Sequence, residues 1–247
     1  MYRFFVDDSQ ITQKTVVIKG SDYNHMKNVL RIKIGEEFNV SNGHDSKEIR
    51  CAVKEYTDDS AICEIRFIKE EDHELPVKVY LFQGLPKLDK METVIIKNVE
   101  LGVHKIIPVE MKRCVVKLDD KKKDNKISRW RSISESAAKQ SKRSIIPEVT
   151  YPMTFKEAID YAKENCNVLI FPYEMAEGMD KTRSILDSVK ENDTVAIFIG
   201  SEGGFDDEEV NYALENGFKV ITLGKRILRT ETAGMCLMSV LMYRLEK

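Results

Sequence analysis

Two hydrophobic periodicities divide the chain. Across residues 1–70 the apolar positions come in short runs, at 3–6, 15–18, 37–40, 49–56 and 61–68, with turn-forming residues between them. Such runs predict β-strands. Asn42-Gly43 is the strongest turn signal, because a tight hairpin needs positive φ angles that Asn and Gly tolerate. One helix, over 22–30, interrupts this strand-rich part.

After the charged, proline-ended stretch 69–76 the pattern changes. A strand at 77–82 leads to Leu88, Met91, Ile95 and Val99, a helical stripe that Gly102 closes. A strand at 105–109 follows, then a basic helix over 124–143 and a helix over 154–165 that Thr154 can cap. Residues 168–172 and 195–200 are uniformly apolar, as parallel strands covered on both faces are. A helix over 206–216, a strand at 220–223 and a last helix over 230–245 complete the series. Strands alternating with helices predict an α/β domain around a parallel sheet. The expected division is 1–72 and 73–247.

Composition narrows the class. The 247 residues are 42% hydrophobic and 32% charged with mixed sign, which excludes a disordered or collagen-like chain. Residues 1–9 carry aspartates too early for a secretory leader. The longest uncharged apolar stretch, 233–243, falls well short of the roughly 20 residues that cross a bilayer. Five scattered cysteines and four scattered histidines form no zinc-type spacing. The expectation is a reduced, cytoplasmic protein with neither a membrane nor a metal among its partners.

The net charge of −2 conceals a segregation: residues 112–143 hold 12 Lys and Arg against 4 Asp and Glu. Such a stretch is either a solvated helix face or a phosphate-binding stripe. Charge alone leaves both open.

Ligands of open parallel sheets sit at the carboxyl ends of the strands. Three loops follow the apolar strands: Pro172-Tyr173-Glu174, Gly200-Ser201-Glu202-Gly203-Gly204-Phe205, and the segment from Leu223 to Ala233. The glycine loop has neither dinucleotide nor P-loop spacing. Glu202 lies inside it, and Asp206, Asp207, Glu208 and Glu209 open the next helix, where they would repel an anion. It is either a packing turn or a backbone that approaches an uncharged or cationic ligand. The last helix is apolar almost all round, from Ala233 through Met235, Leu237, Met238, Val240, Leu241 and Met242, so it is expected to be buried on several sides.

Ile199-Gly200-Ser201-Glu202-Gly203-Gly204-Phe205, followed by Leu223-Gly224-Lys225-Arg226-Ile227-Leu228-Arg229-Thr230-Glu231-Thr232-Ala233, resembles the signature of the RsmE-type 16S ribosomal RNA uridine-N3 methyltransferases, of the SPOUT class. Gln83-Gly84-Leu85-Pro86-Lys87, Glu100-Leu101-Gly102-Val103, the run Glu135 to Arg143 with Pro147, Arg3-Phe4-Phe5-Val6 and His25 to Arg31 extend the resemblance over the whole chain. Two positions depart from it: Ser201 stands where the family usually has proline, and Leu88 where glycine is common.

The resemblance implies a small PUA-like, RNA-binding β-barrel domain and an α/β trefoil-knot domain that binds S-adenosylmethionine and dimerises. The implied target is N3 of uridine 1498 in 16S ribosomal RNA, within the small ribosomal subunit. Pro172, Tyr173, Glu174, Gly200, Ser201, Glu202, Gly203, Leu223, Gly224, Ile227, Leu228, Thr232 and Ala233 are the candidate cofactor residues. Arg3, His25, Arg31, Lys87, Gln140 and Arg143 are candidate RNA contacts.

Uridine N3 is nucleophilic only without its proton, so Glu202 and Glu231 are candidate bases. Arg229 could stabilise charge developing on the uracil oxygens or hold a phosphate; it could equally pair with Glu231 or Glu202. An assembly factor that keeps the fold without the chemistry is the competing reading.

Overall fold

The computed structural model describes residues 1–70 and 73–246. The chain divides into two compact units, residues 1–74 with 138–146 and residues 75–137 with 147–247. Glu71 and Asp72, where the expected boundary falls, lie outside the described residues, and 138–146 join the first unit.

In the first unit, strands β1 (Arg3–Phe5), β2 (Thr15–Lys19), β3 (Glu37–Ser41), β4 (Lys47–Tyr56) and β5 (Ser60–Glu70) form one curled sheet in the order β1-β3-β4-β5-β2. Only β1 and β3 run parallel. Alternate residues turn inward, so Phe4, Val16, Ile18, Phe38, Val40 and Val53 build the core with Met26. Met26 comes from a short helix, α1 (Gly20–Asn24), that continues as a wider π turn over His25–Val29. The sheet breaks register at Arg50/Cys51 and at Val53/Glu55, and such bulges increase the local bend.

In the second unit β6 (Lys78–Gly84) is followed by α2 (Lys90–Glu100), β7 (Lys105–Glu110) and α3 (Asp120–Gln140). Next come β8 (Glu148–Val149), β9 (Met153–Thr154), α4 (Phe155–Asn165), β10 (Val168–Pro172) and α5 (Met179–Asp187). The series ends with β11 (Thr194–Ile199), α6 (Asp207–Glu215), β12 (Lys219–Ile221) and α7 (Thr230–Leu245). The sheet is parallel throughout in the order β12-β10-β11-β6-β7-β8, with β9 also on β7. Strands β8 and β9 and helix α5 carry too little periodicity to be read in advance.

The inner strands are apolar because helices cover both faces, and their aromatic rings interlock. Phe82 stacks on Phe198 at 4.3 Å, and Phe171 lies 4.2 Å from Phe205. Helix α7 buries Thr230, Gly234, Leu237, Met238 and Leu241 on one side. Gly234 faces α2 and β6, where a Cβ would make ordinary contact with Asn98 Oδ1 and Leu81 at 3.6 Å. Within one chain the rest of the helix is less covered. Met235, Cys236 and Met242 are half-buried, and Val240 and Tyr243 are exposed.

Candidate functional site

Strands β12, β10 and β11 are neighbours and point the same way, so their following loops meet at one edge of the sheet. They enclose a solvent-open cleft of about 660 Å³. Pro172, Tyr173 and Glu174 line one side; Ile199, Gly200, Ser201, Gly204 and Phe205 line the second. Residues 222–228, Thr230 and Ala233 line the third. The three loops singled out in the sequence therefore meet in one cleft. Of the expected cofactor residues, Glu202, Gly203 and Thr232 are not on its lining, whereas Gly204 and Thr230 are.

Local geometry explains the exchange. The Gly204 amide donates to the Ser201 carbonyl at 3.0 Å, closing a tight turn whose last residue has φ +67°. A Cβ on Gly204 would come within 2.9 Å of Glu174 Oε1, and one on Gly200 within 3.0 Å of the Gly204 carbonyl carbon. Gly203 faces the other way, and its Cβ would meet the Cβ of Arg113 at 2.9 Å. Arg113 in turn donates to the Gly203 carbonyl at 3.4 Å, and Ser201 Oγ donates to the Arg113 carbonyl at 3.3 Å. The acidic run starts α6 as expected: Asp206 caps it, and its own amide donates to Glu209 at 3.0 Å. Lys112 pairs with Asp206 at 3.2 Å and Glu208 at 2.7 Å.

Beneath the glycine loop, Thr230 Oγ1 donates to the Gly200 carbonyl at 2.5 Å and accepts from Gln83 Nε2 at 2.8 Å. Both side chains are buried. Beside the loop, Lys90 Nζ lies 2.9 Å from Glu202 Oε1 and 3.7 Å from Glu231 Oε2. The Lys87 amide also donates to Glu202, at 3.0 Å. Burial alone would raise the Glu202 carboxyl, but the bonds from Lys90 and the backbone hold it below the ordinary glutamate value. Glu231 Oε2 is buried without a hydrogen-bond partner. Arg229 caps α7 with its backbone and is exposed, with no ion pair among the described residues. The carboxylates that could have claimed it are held by Lys90.

The candidate RNA contacts separate into two kinds. Arg3 and Arg143, read as surface contacts, are interior groups. Arg3 pairs with Glu48, side chains 4% and 1% exposed, and donates to Ser144 Oγ at 2.9 Å. Arg143 is equally buried and grips both carboxylate oxygens of Glu74. A buried guanidinium needs such partners, so these two brace the fold of the first unit. His25, Arg31, Lys87 and Gln140 are exposed.

The basic stretch is largely neutralised: Lys112, Arg113, Lys122, Lys123, Lys126, Arg129, Lys139 and Arg143 all sit in ion pairs. Lys117, Lys121, Arg131 and Lys142 of the stretch have no such partner among the described residues, and neither do Lys87, Lys225, Arg226 and Arg229 around the cleft, the last four all exposed.

Leu88 has φ +58° and is 86% exposed. Such a left-handed backbone suits glycine better than leucine. The residues that sequence reasoning missed, Gln83, Lys90 and Arg113, act on partners about 90 to 150 positions away, a separation that no local pattern records. Among the described residues no group of three potential ligands could hold a metal ion.

Residues 73–242 match the model of an RNA methyltransferase domain, and residues 18–66 that of an RNA methyltransferase PUA domain. Ribosomal RNA small subunit methyltransferase E of Bacillus subtilis is 34% identical over 100% of this chain and 98% of its own. The structure of ribosomal RNA small subunit methyltransferase E from Neisseria gonorrhoeae, bound to S-adenosyl methionine, is 30% identical with a TM-score of 0.85, covering 99% of this chain and 98% of that one. A putative methyltransferase of Legionella pneumophila with bound SAM gives 30% identity and the same TM-score, over 98% and 97% of the two chains.

Proposed function

This chain belongs to the ribosomal RNA small subunit methyltransferase E family, and we propose that it methylates N3 of one uridine in 16S ribosomal RNA, position 1498 by family resemblance, with S-adenosylmethionine as donor. The observation that carries this reading is the cleft at the ends of β10, β11 and β12. It is concave and open to solvent, and backbone from three loops lines it, as at sites that take small molecules. A Cβ on Gly200 would crowd the Gly204 backbone, and Gly204 at φ +67° adopts a conformation that suits glycine, so the two glycines hold this loop in its tight form at the cleft. Asp206 caps α6 and Asp207, Glu208 and Glu209 fill its first turn, so that helix start is not open to a pyrophosphate.

S-adenosylmethionine supplies, when bound, a methyl group on a positively charged sulfur. The residues of this chain do the rest by positioning. Backbone of the 200–204 and 222–228 loops holds the donor, and the Gln83–Thr230–Gly200 bonds fix the first loop. As the uracil N3 proton leaves, negative charge spreads to the flanking carbonyl oxygens, where the unpaired Arg229 guanidinium stabilises it. Glu202, held ionised by Lys90, is a brace for its loop. Glu231, whose contact with Lys90 is the longer of the two at 3.7 Å, is assigned proton removal.

Recognition of the RNA is assigned to the first unit through His25, Arg31 and Gln140, and to the cleft rim through Lys87. A homodimer working on the small ribosomal subunit in the cytoplasm completes the reading. Small subunits purified from a strain lacking the protein should, after incubation with it and S-adenosylmethionine, yield one new 3-methyluridine on mass spectrometry of digested RNA. No methylation, or methylation at another atom, would overturn the assignment.

A further inference from the structure

Four ionisable side chains converge beside the cleft: Lys90 from the first turn of α2, Glu202 from the glycine loop, and Arg229 and Glu231 from the start of α7. Lys90 reaches both carboxylates and stands close enough to Arg229 to feel its charge. Two cations and two anions therefore share the corner, yet one cation holds both anions. Arg229 is left exposed and without an ion pair among the described residues.

We propose that Lys90 is a positioning residue: by occupying Glu202 and Glu231 it keeps Arg229 unpaired and available to the substrate. This rests on the methyltransferase reading for its purpose, though not for its geometry. The physical argument is a competition. A guanidinium prefers a carboxylate to water when one is within reach, and it binds in a bidentate fork that Lys cannot match. Glu231 is two residues from Arg229, at the first turn of the same helix, and its Oε2 lacks a hydrogen-bond partner. Without the Lys90 ammonium, these carboxylates would turn to Arg229.

Chemical modification tests this without any substrate. Phenylglyoxal reacts with free guanidinium groups, and peptide mass spectrometry reads Arg229 separately from the exposed Arg226, its internal control. In Lys90→Met and Lys90→Gln, labelling of Arg229 relative to Arg226 should slow by about threefold, the range an exposed ion pair supplies. Lys90→Arg should keep the wild-type rate. The triple variant Lys90→Met with Glu202→Gln and Glu231→Gln should restore it, because no carboxylate is left to capture the arginine.

A merely structural lysine would not be rescued by deleting its partners. Unchanged labelling in both single variants, with circular dichroism unaltered, would overturn the proposal. So would a slowing that the triple variant does not reverse. Wild-type protein that labels as expected but fails to methylate uridine would count against the proposed function alone.

Discussion

Thr230 Oγ1 donates to the Gly200 carbonyl at 2.5 Å while accepting from Gln83 Nε2 at 2.8 Å. One hydroxyl thus joins the ends of β6 and β11 to the first turn of α7. Thr230→Val keeps the shape and removes both bonds. With each worth about 0.5–1.5 kcal/mol, affinity for S-adenosylmethionine should fall roughly tenfold by calorimetry. Thr230→Ser should remain near wild type, and equal losses in both variants would show that the methyl group, not the hydroxyl, matters.

Arg229→Ala should act on chemistry and leave cofactor affinity almost unaltered, because Arg229 does not line the cleft. Loss of a transition-state donor costs about 10²–10³ in rate. Single-turnover methyl transfer at saturating RNA and cofactor measures it. A drop confined to cofactor binding would refute this role.

The salt dependence of RNA binding should follow the cleft rim more than the basic stretch. Lys122 and Lys123 already face Asp119 and Glu110 at 2.9 Å each. Lys225 and Arg226 are exposed on the cleft lining. Removing one phosphate-binding cation reduces the salt slope by roughly 1. Filter binding across salt concentrations should therefore flatten more for Lys225→Ala with Arg226→Ala than for Lys122→Ala with Lys123→Ala. Equal flattening in the two double variants would return the basic stretch to a phosphate-binding role.

Leu88→Gly should stabilise the protein. Leucine at φ +58° carries a left-handed backbone penalty of about 1–2 kcal/mol, and its exposed side chain gives little packing in return. Glycine's greater freedom when unfolded offsets part of the gain. Urea denaturation should show a net increase of about 1 kcal/mol, and a decrease would mean that the side chain has a partner in solution.

Helix α7 predicts the oligomer. Its outer side carries Met235, Val240, Met242 and Tyr243, a surface that water covers poorly. Light scattering should give twice the chain mass of 28.5 kDa. Val240→Glu with Tyr243→Glu should shift it toward one chain mass, and a fully active monomer would refute the two-fold reading.

What the sequence determined by itself was set by local forces. Alternating and continuous apolar runs defined the strands from β6 to β7 and from β10 to β12, because burial on one face or two leaves a period in the chain. The 200–204 and 223–233 blocks located the cleft, because turns and helix starts demand particular residues at particular spacings. Strands β8 and β9 were too short to leave such a period. Tertiary structure alone decided the fates of the charges. Arg3 and Arg143 read as surface cations and proved to be buried, since Glu48 and Glu74 neutralise them. Eight of the twelve cations of the basic stretch are taken by carboxylates, all of which but Asp119 lie outside it. Lys90 acquired its place from Glu202 and Glu231, more than 100 positions away. The physical reason is that an apolar side chain needs only to leave water, whereas a charge needs one particular partner, and which partner arrives is fixed by chain crossings that no local pattern encodes.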